Sequence, residues 1–82
     1  MKGIYMAVGF ELIHVIPGHE CEVYNKLDKV PQIIELHPLF GEYDLIAKIE
    51  ANDFEDLEDI VINKIKSIYG VADTKTLTGT KL

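Results

Sequence analysis

Few side chains in this 82-residue chain are placed to do chemistry, and most of those fail on spacing. His14, His19 and His37 fall on different predicted elements, with no i, i+3 or i+4 pair to hold a metal. They read as surface or hydrogen-bonded histidines, and no metal site is expected. Cys21 sits early in a predicted helix, where a thiol pKa can fall. It has no partnered base in the sequence and reads as a structural thiol. The acidic run Glu55-Asp56-Glu58-Asp59 reads as a solvated helix face. Two groups remain. Gly41-Glu42-Tyr43-Asp44 brings turn amides, a ring and a carboxylate together, and Thr76 and Thr78 put two hydroxyls on one face of a strand.

The composition narrows the classes of partner. All eight basic residues are Lys, against fourteen carboxylates, for a net charge of −6. Phosphate and nucleic-acid sites favour Arg and need a basic face, so direct nucleic-acid binding is not expected. One cysteine cannot form an internal disulfide, and no CxxC spacing occurs. The apolar N-terminal stretch carries Glu11 and His14 and lacks a small-residue cleavage site, so it does not read as a signal peptide. No run approaches the ~20 apolar residues that span a bilayer. The expectation is a cytoplasmic domain, residues 1–82 as one unit, with no membrane partner and no cofactor.

The elements that must position these groups follow from periodicity. Residues 3–16 read as a strand with Ile4, Met6, Val8, Phe10 and Leu12 on one parity, and Tyr5, Ala7, Ile13 and Val15 on the other. A strand apolar on both faces must be covered on both. Gly9 marks a bulge or a close backbone approach. After Pro17-Gly18, residues 19–30 read as a helix through Val23, Leu27 and Val30, stopped by Pro31. Residues 32–40 form a second strand with Ile34, Leu36 and Phe40 on one side, and Pro38 argues for an edge position. The turn 41–43 leads to a third strand over 44–51. A second helix, 53–68, opens on Asp53 as N-cap and buries Phe54, Leu57, Val61, Ile65 and Ile68. Gly70 ends it or starts the next turn, and residues 71–80 form the last strand.

The order β-α-β-β-α-β with right-handed crossovers predicts an α+β, ferredoxin-like fold. That is an antiparallel four-stranded sheet with two helices on one face. The other face is left bare and apolar, and 48% apolar residues is high for so short a chain. Dimerisation through that face is expected, as a dimer or a ring of dimers.

At Gly41-Glu42-Tyr43-Asp44-Leu45-Ile46, followed by Ala47-Lys48-Ile49-Glu50, the chain resembles the Gly-x-Tyr-Asp signature of the effector-binding (RAM) domain of the Lrp/AsnC transcriptional regulators. The run Val71-Ala72-Asp73-Thr74-Lys75-Thr76-Leu77-Thr78 resembles that domain's last strand. The resemblance covers essentially the whole chain in the same element order. Full-length regulators carry a helix-turn-helix ahead of the sheet, whereas the first strand here begins near residue 3. The chain therefore resembles the stand-alone form. Gly79 departs from the pattern, where an apolar residue is expected, and leaves the pairing at the chain's end open.

The resemblance implies a non-enzymatic module that binds an amino acid or related small metabolite between subunits. It implies an indirect effect on transcription through assembly with a full-length Lrp/AsnC regulator. An amino acid is a zwitterion, and with no Arg in the chain backbone N–H groups are the expected donors to its carboxylate, which the Gly41-Glu42-Tyr43 turn can supply. Asp44 then serves as counter-charge to the ammonium, and Thr76 and Thr78 add hydroxyls from the same or a neighbouring subunit. Each residue has a structural rival. Gly41 could only supply a turn with φ > 0, and Asp44 could only cap the hairpin. Tyr43 could be a core or interface aromatic, and alternating Thr is ordinary strand composition. Three other functions stay open. One is a small cofactor-free enzyme on a dimeric α/β barrel using His14 or His37, another a structural oligomerisation domain, and the third an ACT-type domain whose first-loop glycine would be Gly18.

Overall fold

The computed structural model describes residues 6–79. Strand β1 (Ala7–Val15), helix α1 (Glu20–Leu27), strands β2 (Ile33–Pro38) and β3 (Leu45–Ala51), helix α2 (Phe54–Ile60) and strand β4 (Val71–Thr78) follow in that order. The sheet is antiparallel in the order β2-β3-β1-β4, so the chain folds as the expected α+β ferredoxin-like unit. β1 lies between two neighbours, and Pro38 sits on an edge strand, where its missing N–H costs no ladder bond.

The core fills the space between sheet and helices. Ala7, Ile13 and Val15 of β1 and Leu45, Ala47, Ile49 and Ala51 of β3 point into it. Val23 and Leu27 of α1 meet them, with Leu57, Ile60, Val61 and Ile65 from the second helical segment. Gly9 shares this face as a close approach: a Cβ there would lie 2.8 Å from Leu57 Cδ2. The missing side chain lets α2 settle onto the sheet.

Several boundaries differ from expectation for physical reasons. α1 ends at Leu27, because Lys29 N–H and Val30 N–H bond back to Lys26 and Leu27 carbonyls in tighter three-residue turns. In β2 the register slips between Ile33 and Glu35. This bulge turns Ile33 and Leu36 toward the core and leaves Ile34 exposed, so Ile34, Leu36 and Phe40 do not share a buried side. Phe40 lies beyond the strand and is fully exposed. Asp53 caps α2 as expected, its carboxylate accepting the Asp56 N–H at 2.8 Å while the Asp56 carboxylate takes the Asn52 N–H. The regular helix stops at Ile60, and a π-helical turn over Val61–Ile65 continues it, with Lys66 N–H bonding to the Val61 carbonyl. Phe54, the first residue of α2, is exposed instead of buried and borders a groove beside Thr76 and Thr78 of β4. Gly70 takes φ = 105°. Gly79 N–H bonds to the Val8 carbonyl at 3.2 Å, so pairing extends through the described end of the chain.

Candidate functional site

The connection from β2 to β3 is longer than a tight hairpin. Leu39 N–H bonds to the Asp44 carbonyl and Asp44 N–H to the Ile13 carbonyl, which closes a loop over residues 40–43 against the end of β1. Gly41 has open space around it and does not adopt positive φ, so turn strain is not the reason for a glycine there. The Asp44 carboxylate accepts the Val15 N–H at 2.7 Å through Oδ2. Its Oδ1 has no hydrogen-bond partner among the described residues. Asp44 is therefore a cap and also a carboxylate with capacity to spare.

One side chain and one backbone carbonyl of the loop are held by His14, on the sheet face away from the helices. The His14 and Tyr43 rings stack with centroids 4.2 Å apart and planes 13° from parallel. His14 Nδ1 lies 2.6 Å from Asp73 Oδ1 on β4, and Nε2 contacts the Glu42 carbonyl oxygen. The Asp73 carboxylate first, and the Glu42 carbonyl second, raise the His14 pKa above the usual histidine value, with partial desolvation opposing them.

On the helix side, Asp44 opens onto a groove of about 460 Å³ between α1 and the β2–β3 connection. Tyr24, Pro38, Leu39 and Leu45 give it apolar walls, and Glu20 and Asn25 add polar groups. Thr76 and Thr78 do not reach this groove. They border another, of about 310 Å³, between α2 and β4 with Phe54, Leu57, Glu58 and Val61. The Thr76 hydroxyl is already committed: it donates to Glu11 Oε1 at 2.7 Å. Within one chain the expected set thus divides. Of Gly41, Glu42, Tyr43 and Asp44 only Asp44 lines the groove beside α1, Tyr43 and the Glu42 carbonyl meet His14 on the other sheet face, and Thr76 and Thr78 border the second groove.

The sequence model of the Lrp/AsnC ligand binding domain matches residues 10–80. This chain belongs to the Lrp/AsnC family. Among its relatives is the HTH-type transcriptional regulator FL11 of Pyrococcus furiosus, 37% identical over 73 residues. The match takes in 89% of this chain and 48% of FL11, so the chain spans about half the length of that regulator. TTHA0845 from Thermus thermophilus is 30% identical with a TM-score of 0.87, covering 93% of this chain and 95% of that one. The Neisseria meningitidis regulator NMB0573, solved as an L-Met complex, superposes with a TM-score of 0.83 at 19% identity, over 92% of this chain and 50% of that one.

Within this Lrp/AsnC domain, periodicity alone passed over a charged residue of the interior. Glu11 is fully buried, with Oε2 lacking a hydrogen-bond partner among the described residues. Its parity was the available signal, because it alternates with Ala7, Gly9, Ile13 and Val15 on the helix-facing side. The part His14 plays at the loop could not be read from spacing, since its partners lie 28 and 59 positions away.

Proposed function

We propose that this Lrp/AsnC domain binds a free amino acid with an apolar side chain in the groove beside Asp44, and that occupancy alters how copies of the domain assemble. The observation that carries the reading is the placement of a carboxylate with spare acceptor capacity at an apolar slot. Asp44 and Glu20 suit an ammonium group, and Tyr24, Leu39 and Leu45 suit an aliphatic side chain. No cationic side chain lines the groove. The ligand carboxylate would take amide donors from Asn25, from the Gly41-Glu42-Tyr43 turn, or from a neighbouring subunit. A neighbour could also supply Thr76 and Thr78, which explains how the two halves of the expected set would meet. The L-Met complex of the Neisseria regulator supports this ligand class by analogy. Transcription would be affected through co-assembly with a full-length regulator. A ligand acts this way only by binding one assembly state more tightly than another.

Thermal unfolding against each common amino acid tests the reading. A ligand at ten times its Kd stabilises by about 1.4 kcal/mol per site, several degrees for a domain of this size. The control variant is Asp44→Asn, which keeps an oxygen for the Val15 N–H and removes the charge. It is expected to unfold at the wild-type temperature without ligand and to lose the ligand-induced shift. A shift that survives in Asp44→Asn would remove Asp44 from the site.

A further inference from the structure

The ring of His14 bridges two acceptors. Nδ1 faces the Asp73 carboxylate and Nε2 faces the Glu42 carbonyl oxygen. Neither can donate: a carbonyl only accepts, and so does an ionised carboxylate. A neutral imidazole has one N–H and one lone pair, so it can satisfy one of these contacts and must oppose the other. Only the imidazolium, with both nitrogens protonated, makes both. The stacked Tyr43 ring is a suitable face for a cation at this distance. The titratable and charged groups around the ring are Asp73 on β4, Tyr43 in the loop and Asp44 just before β3. None is basic.

We propose that His14 is a proton-operated latch on the Gly41–Tyr43 loop: the imidazolium holds the loop to β1 and β4, and deprotonation lets the loop go. Loss of the proton has a preferred direction. The bond to a carboxylate is the stronger of the two, so the remaining proton stays on Nδ1 toward Asp73. The contact surrendered is the one from Nε2 to the Glu42 carbonyl, which is the one that ties down the loop. Asp44 follows directly on this segment, so the latch sets how rigidly its carboxylate is presented. His14 is a positioning residue in this arrangement and need not touch a ligand. The proposal rests on the reading of Asp44 as part of the site for its functional meaning, while its test requires no ligand.

The test is an NMR titration of the ligand-free protein, with His14 ring signals assigned by their absence in His14→Gln. Three results are expected in the wild type. Both ring nitrogens are protonated on the acid side of the midpoint. The Nδ1–H tautomer appears above it. The Tyr43 and Asp44 amide signals move with the same midpoint as the ring. Asp73→Asn should shift that midpoint to lower pH, and His14→Gln should abolish the pH response of the two amides. An Nε2–H tautomer above the midpoint, or loop amides indifferent to the His14 titration, would overturn the latch. Because no amino acid is added, such a failure would leave the ligand reading standing, and failure to bind amino acids would leave the latch standing.

Discussion

Glu11 occupies the middle of β1 with the Thr76 hydroxyl on one oxygen and no partner for the other among the described residues. Burying a carboxylate is costly unless hydrogen bonds compensate, so the single bond from Thr76 is worth more than its length implies. Thr76→Val keeps the strand-favouring shape and removes that donor. It should cost about 1–3 kcal/mol in urea unfolding, the usual range for stranding a buried polar group. A neutral result would mean that water or a neighbouring subunit already serves Glu11. His14 makes a second, pH-dependent contribution. Its pKa is raised in the folded state, so its stabilisation is complete below the ordinary value of 6.5 and is lost as pH rises through the raised value. The urea midpoint should therefore fall across that window in the wild type and stay flatter in His14→Gln. At this scale Asp44 was legible from its neighbours in sequence. Glu11 and His14 acquire their roles only through partners brought in by β4 and the loop.

At the level of elements, strong local chemistry was readable and compensating irregularities were not. Asp53 with Asp56 three residues later marked the start of α2, because a cap is made by residues adjacent in sequence. Pro38 marked an edge because its missing N–H excludes an interior strand. The bulge at Ile34 leaves no comparable trace. It is fixed by pairing with β3, and every later residue of β2 changes face because of it. Gly70 is the connection with the least latitude. Besides its positive φ, a Cβ there would sit 2.7 Å from Val23 Cγ2 and 3.0 Å from His19 Cβ. Gly70→Ala combines backbone strain with a clash against α1, and should lower stability by about 1–3 kcal/mol. Calorimetry on that variant checks it, and an unchanged Tm would show that the α2–β4 connection relaxes freely.

Across the whole molecule, one sheet face carries the helices and the other carries Val8, Phe10, Leu12, Ile46 and Leu77 with no helix over them. Lys48 lies on this face directly opposite Phe10 and pairs with Glu35 of β2. The apolar residues of the open face fit the proposed face-to-face dimer. Phe10→Asp would place a charge among them without touching the helix-side core. Light scattering should then fall from a dimer toward the 9.3 kDa single chain, with the far-UV circular dichroism unchanged. A wild-type protein already at 9.3 kDa would end the dimer proposal.

The alternation along β1 also has a consequence for how such a chain can vary. Its odd-numbered residues, Gly9 and Glu11 among them, face α2, and its even-numbered ones face outward. Deleting one residue within β1 would exchange the two sets, carrying Glu11 to the open face and sending the bulk of Phe10 or Leu12 toward Leu57. Substitution can be absorbed there one position at a time, but a change in length cannot. β1 can therefore change in residue type only while its residue count stays fixed.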